Sequence, residues 1–224
     1  MPPEPSEPQR RPSAVLCDAI GTILRLDRPV ERLRGSLAAR GILLDEAAAV
    51  RALSAEVRAY REGHLSGVDT ASITALRHAC ADAMRKEIGH GLDHDRAFAI
   101  VMGLTRFEVL PGTRSSLARL RRAGVRLAVV SDWDASLEGT MLAVGLRSHF
   151  DVVVSSAQIG VAKPDPAPLL AATAALGVRP QEAVMIGHAE VDDAAAAACG
   201  MPSLRVATAS GIRGVTDHLL GLPR

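Results

Sequence analysis

The sequence predicts an α/β fold: a parallel sheet covered by helices on both faces and interrupted once by an all-helical insertion. Three observations carry this. From about residue 113 onward, short apolar runs alternate with helical stretches, a pattern that requires right-handed crossovers and therefore a parallel sheet. A lone apolar run, Ala14-Val15-Leu16-Cys17, stands far upstream and is too short for a helix. Between the two, about 75 residues show only the three- and four-residue apolar spacing of helices.

Residues 1–12 hold five prolines and no apolar pattern, so an extended, poorly ordered arm is expected there. A strand over about 14–18 follows, ending in Asp18 and a Gly21-Thr22 turn. Helices are predicted within 30–40, 46–60, 70–88 and 94–104, with Asp69 or Thr70 capping the third and breaks near Gly41, Gly63–Gly67 and Gly89–Gly91. After Leu110-Pro111-Gly112 the alternation begins. Helices at 113–123, 135–144, 166–176 and 191–199 separate strands at 126–131, 151–155, 183–186 and 203–206, and an amphipathic stretch ends the chain. No internal repeat is visible. These boundaries divide the chain into the arm, a core of 13–24 plus 105–224, and an insertion of 25–104.

Composition excludes several classes of function. A net charge of +1 and 2% aromatic residues leave neither an electrostatic footprint nor stacking platforms for nucleic acid. The apolar runs fall far short of the roughly 20 residues of a membrane span, and no basic segment leads into an apolar one as in a secretory signal. Three scattered cysteines, Cys17, Cys80 and Cys199, make no disulfide or zinc framework. A cytoplasmic protein acting on a small molecule is expected, with oligomeric state open. Of 26 basic residues only Lys86 and Lys163 are lysines. In a chain that uses Arg wherever a generic cation will do, a Lys points to a compact charge that Arg's planar fork cannot supply. Lys86 reads as solvated helix surface. Lys163 stands in a turn, directly before Pro164-Asp165-Pro166, and calls for another reason.

Ligands of open α/β sheets collect beyond the carboxyl ends of the strands, and four strands here lead into polar groups at that edge. Asp18 ends the first. Ser131 ends the second and Asp132 follows it. Lys163 lies beyond the third, in Ala162-Lys163-Pro164-Asp165-Pro166. The fourth runs into Gly187-His188-Ala189-Glu190-Val191-Asp192-Asp193. Singly, Ser131, Asp192 and Asp193 also read as helix caps, and Asp18 as a turn former. Four strand ends in series are harder to attribute to caps.

On these residues the chain resembles the haloacid-dehalogenase superfamily of hydrolases, from Val15 to Met201. The motifs are Asp18 with Gly21 and Thr22; Ser131 within Val-Val-Ser-Asp-Trp-Asp; Lys163 with Pro164-Asp165-Pro166; and the acidic entry at Asp192 leading to Gly200-Met201. The resemblance implies a Rossmann-like parallel sheet core with an inserted all-helical cap domain. It also implies a hydrolase that forms a covalent aspartyl intermediate. In that scheme Asp18 is the nucleophile, with Thr22, Ser131 and Lys163 catalytic. Ser131, Asp132, Lys163 and His188 contact an anionic substrate. Mg²⁺ is held by Asp18, the Ile20 backbone carbonyl and Asp192.

Two departures temper this scheme. Phosphatases of the family usually carry a second Asp where this chain has Ile20, and losing a general acid costs roughly 10²–10⁴-fold. His188 stands where the family usually has a metal-binding Asp, and imidazole suits a hard ion poorly. A phosphatase-like hydrolase acting on a small phosphorylated metabolite ranks first. The alternatives are a metal-free 2-haloacid dehalogenase-like enzyme, for which Ile20 is no handicap, and a degenerate binding or regulatory protein. Against the dehalogenase stand the absence of a Ser-Ser-Asn pattern in the fourth motif and of a Tyr after Lys163-Pro164. Arg25, Arg28, Arg58 and Arg61 could meet an anionic substrate, but read mostly as solvated helix faces.

Overall fold

A computed structural model describes residues 11–89, 91–207 and 211–221; most of the predicted arm lies outside them. The first strand, β1 (Ala14–Cys17), becomes the middle of a five-stranded parallel sheet. It is followed by β2 (Leu24–Leu26), four helices α1 (Pro29–Ala38), α2 (Glu46–Gly63), α3 (Thr70–Ile88) and α4 (His94–Leu104), and β3 (Phe107–Val109). Next come α5 (Thr113–Arg122), β4 (Arg126–Ser131), α6 (Leu137–Ala143), β5 (Val152–Ser155), a one-turn α7 (Ser156–Ile159) and α8 (Ala167–Leu176). The chain then runs through β6 (Ala183–Gly187), α9 (Glu190–Ala198), β7 (Ser203–Arg205) and α10 (Arg213–Leu219).

The strand order is β5-β4-β1-β6-β7. The chain moves outward from β1 through β4 to β5, then returns to lay β6 on the other side of β1. Order therefore reverses beside β1, and the crevice at its carboxyl end is where such sheets bind ligands. Cys17 pairs with both Val129 and Ile186, so Asp18, one residue on, emerges between the ends of β4 and β6.

Burial follows the two-residue period of a strand covered on both faces. Val15, Cys17, Leu127, Val129 and Ile186 pack with Leu117, Leu120 and Leu137 on one side. Ala14, Leu16, Ala128, Val130 and Met185 pack with Leu169, Ala172, Ala195 and Ala196 on the other. The inserted helices bury a third cluster of their own, including Leu33, Leu37, Leu76, Cys80, Met84 and Ile100. Asp45, Asp69 and Asp93 cap α2, α3 and α4 by accepting the N–H of Ala48, Ser72 and Arg96 at 2.7–2.8 Å, and Asp69 is the cap expected for the third helix.

Two features differ from expectation. The segments leaving and re-entering the core form an antiparallel two-stranded ladder, with Leu24 opposite Val109 and Leu26 opposite Phe107. Three residues give no readable period, so neither strand was predicted, and Arg25 and Leu26 belong to this ladder rather than to the helical insertion. Asp151, expected to start a strand, instead accepts the N–H of Leu127 at 2.8 Å and ties the start of β5 to β4.

The insertion meets the core along a seam next to the end of β4. Asp134 is fully buried. It accepts from Arg77 Nη2 at 2.7 Å, from Tyr60 Oη at 3.2 Å and from the N–H of Ser136 at 2.8 Å. The Arg77 guanidinium also lies 4.9 Å over the Tyr60 ring. Beside this pair the N–H of Ala135 donates to Gly67 O at 2.7 Å. The approach is so close that a Cβ on Gly67 would fall 2.7 Å from that of Asp134, and only glycine fits.

Candidate active site

Asp18 continues the β1 ladder, its N–H donating to Ile186 O at 2.9 Å. Its carboxylate is buried. Oδ1 accepts from Ser131 Oγ at 3.0 Å and from Lys163 Nζ at 2.8 Å. Lys163 also donates to Asp192 Oδ1 at 2.6 Å. One buried ammonium thus bridges the carboxylate after β1 and that of Asp192 in α9. The turn that carries Lys163 is held to the β4 loop by its own N–H, which donates to Asp132 Oδ1 at 3.0 Å. The rarity of lysine in the sequence is explained: a three-donor point charge reaches both acids, where a planar fork would not.

Asp192 sits in the first turn of α9 and reaches back, its Oδ2 accepting the N–H of His188 and Ala189 at 3.1 and 3.0 Å. This is half of a capping box, so the cap and site readings of Asp192 are both met by one side chain. Asp193, one residue on, turns outward and pairs with Arg205 Nε at 3.0 Å.

The charges reinforce one another. Burial alone would raise the Asp18 pKa, but the charge of Lys163 and the polar contacts of His188 and Lys163 outweigh it and hold the carboxyl at about 2. Burial likewise works against the Lys163 ammonium, and the charges of Asp18, Asp192 and Asp132 raise its pKa in spite of it. Asp132 is raised, chiefly by burial. Cys17, next to Asp18, is pushed up to about 12 by burial and then by the Asp18 charge, so it offers no thiolate at neutral pH.

Of the residues expected at the site, Asp18, Ser131, Lys163, Asp192 and His188 come together, with Asp132 on the Lys163 backbone. Thr22 makes no hydrogen bond to them: its hydroxyl is buried without a hydrogen-bond partner. Ile20 packs its side chain against the apolar cluster under the sheet and offers no proton. Arg25 and Arg28 pair with Glu108 and Asp27, at 2.7 and 3.2 Å, and Arg58 and Arg61 are exposed on α2. Reading the sequence missed Tyr60, Arg77 and Asp134. It also missed His64, which is buried at the end of α2 with Nε2 lacking a partner. Arg77 carries no signal among 24 arginines; the lone Tyr was the available hint.

Asp18, His188 and Asp192 each bring a ligand atom within 4.8 Å of the others, so the fit to Mg²⁺ can be tested. Mg²⁺ demands near-octahedral oxygen ligands. Here Asp192 Oδ2 already accepts two N–H bonds and its Oδ1 accepts from Lys163, while the third group is an imidazole. These donors do not make a Mg²⁺ site.

A profile of the haloacid dehalogenase-like hydrolases matches residues 12–200. The chain belongs to this family. Among curated relatives of this chain, the plasmid phosphoglycolate phosphatase of Cupriavidus necator is 42% identical over 95 residues, 42% of this chain and 41% of that one. The phosphoglycolate phosphatase of Chromobacterium violaceum is 33% identical over 136 residues, 60% of each. The matches thus span about two-fifths to three-fifths of those relatives' length. Among solved structures, the L-2-haloacid dehalogenase RSc1362 superposes with a TM-score of 0.68 at 21% identity, over 92% of this chain and 98% of that one; this likeness shows the fold. No helix among the described residues is long and apolar enough to cross a membrane.

Proposed function

We propose that this haloacid dehalogenase-like hydrolase uses Asp18 as a nucleophile and is phosphatase-like, acting on a small phosphorylated metabolite. The observation that carries the reading is the buried Asp18 carboxylate at the end of the central strand, with Oδ1 anchored by Ser131 and Lys163 and Oδ2 left for attack. Held ionised down to about pH 2, it needs no base to activate it. Oδ2 forms a bond to phosphorus as the bond to the leaving oxygen breaks, and the leaving group takes that electron pair. Water then attacks the aspartyl phosphate, releasing phosphate and restoring Asp18. Lys163 and the Ser131 hydroxyl face the charge that develops on the transferring group. Helices α1–α4 act as a cap that shields this step from water, fastened at the Asp134 seam.

The phosphate ranking rests on the phosphatase names of the curated relatives. Phosphatases of this family typically use Mg²⁺, and the fit found for this chain is against it. A second reading, hydrolysis of a carbon–halogen bond, is favoured by Ile20: halide leaves without a proton, so an apolar residue there costs nothing. A panel of phosphate esters and a 2-haloacid, each assayed with Mg²⁺ and with chelator, decides between them. Phosphate release supports the first reading and halide release the second. If neither appears at any metal concentration, the third reading, a catalytically degenerate binding or regulatory member of the family, is the one left standing.

A further inference from the structure

The group nearest the open oxygen of the nucleophile is an imidazole. His188 Nδ1 is buried and lies 3.3 Å from Asp18 Oδ2 and 4.0 Å from Asp192 Oδ2. The first is an ion-pair distance with poor hydrogen-bond alignment; both carboxylates nonetheless face the same nitrogen. The ring is wedged against the turn after β1. A Cβ on Gly21, whose φ is +78°, would fall 2.6 Å from His188 Cδ2 and 2.8 Å from Cγ and Nε2. Only a glycine lets the ring lie there, so the turn and the imidazole fit each other as a pair.

Oxygen supply leads to the same place. Asp192 has committed Oδ2 to two backbone N–H groups and Oδ1 to Lys163, and Asp18 has committed Oδ1 to Ser131 and Lys163. Of the four oxygens of these two acids, Asp18 Oδ2 is the one that accepts no hydrogen bond, and the imidazole lies beside it. Charge agrees. In direct contact, Asp18, Asp192 and Lys163 sum to −1, with Asp132 held to the Lys163 backbone. A carboxylate at position 188 would make the sum −2, which one divalent cation neutralises; a neutral imidazole leaves it at −1.

We propose that His188 occupies the place of a divalent cation at Asp18 Oδ2, closing the pocket to Mg²⁺ and orienting the nucleophile, so that this hydrolase works without a metal. His188 is thus a positioning residue. This rests on the reading of Asp18 as nucleophile. Its test reads binding directly and so stands or falls apart from any turnover assay.

The experiment compares the full chain with Asp18→Asn, His188→Asp, His188→Ala and the double variant His188→Asp/Asp18→Asn, by titration calorimetry and thermal unfolding, with Mg²⁺ alone and with Mn²⁺ alone. The parent is expected to show neither heat nor a rise in Tm with millimolar Mg²⁺. His188→Asp is expected to gain Mg²⁺ binding by at least the roughly 10–100-fold that even outer-sphere partners contribute to metal affinity, and to lose it again with Asp18→Asn. Mg²⁺ binding by the parent that Asp18→Asn abolishes overturns the proposal. So does His188→Asp that is folded, by its circular dichroism, yet takes up no Mg²⁺. Mn²⁺ binding by the parent that His188→Ala abolishes also overturns it, by making the imidazole a ligand of a softer metal.

Discussion

Asp134→Ala is expected to destabilise the protein by about 3–5 kcal/mol, toward the lower end. Arg77 and Asp134 form a buried pair whose side chains are 11% and 0% exposed. Removing the acid leaves a buried guanidinium without its counter-ion, and breaking a buried pair from one side costs about 3–5 kcal/mol. The N–H of Ser136 and the hydroxyl of Tyr60 lose an acceptor as well, each worth roughly 0.5–1.5 kcal/mol. These losses overlap, since Tyr60 Oη also accepts the N–H of residue 134 at 3.1 Å, and Arg77 keeps an edge in solvent. The assay is urea unfolding followed by far-ultraviolet circular dichroism and by fluorescence. Trp133, the only tryptophan, adjoins the seam and lies 5.1 Å from Phe107 on the connecting ladder. Replacing both charged groups, as Arg77→Met/Asp134→Leu, is expected to recover part of the loss, because the Arg77–Asp134 pair is then gone from both sides, while Glu56 loses the Arg77 charge that favours its ionised form. A loss below about 1 kcal/mol for Asp134→Ala would show that the seam is solvated and that the insertion is not fastened there.

Three other outcomes are expected. Ile20→Asp places a carboxyl two residues from Asp18; if the substrate is a phosphate ester, turnover rises by about 10²-fold or more, measured as phosphate release, while halide release is unmoved. Asp18 has a depressed pKa, so its contribution to stability is complete above the ordinary carboxyl range near 4 and is lost as pH falls through its folded value of about 2. Urea midpoints should therefore show the parent losing stability relative to Asp18→Asn over that window, and parallel curves would contradict the charge pairing with Lys163. Gly67→Ala forces a Cβ to within 2.7 Å of the Asp134 Cβ. An overpacking cost of about 1–3 kcal/mol in the same unfolding assay is expected.

Much of this molecule was legible in the sequence because its features are local. The apolar run before Asp18 is short enough to read as a buried strand rather than a helix, and Asp69 stands next to a helical period as a cap does. Lys163 was conspicuous against a background of arginine, and its two bonds to Asp18 and Asp192 give the reason. What stayed hidden depends on residues far apart. The β2–β3 ladder joins segments more than 80 residues distant through three-residue strands, too short for a period. Arg77 and Asp134 are 57 residues apart, and neither carries a mark of the other. Thr22 reads as a site residue because it follows Asp18 closely; its hydroxyl is buried and makes no hydrogen bond to the other site residues. Asp192 and Asp193 could not be told apart by type; their helix phase sends one to Lys163 and the other to Arg205.

The most direct measurement is the turnover of Asp18→Asn on whichever substrate the parent hydrolyses, with thermal unfolding to show that the variant is folded. An amide can fill the space and accept from Ser131 and Lys163, but it cannot form the aspartyl intermediate, so release is expected to fall to the uncatalysed rate. A folded Asp18→Asn that turns over as fast as the parent would contradict the nucleophile at the end of β1 and everything built around it.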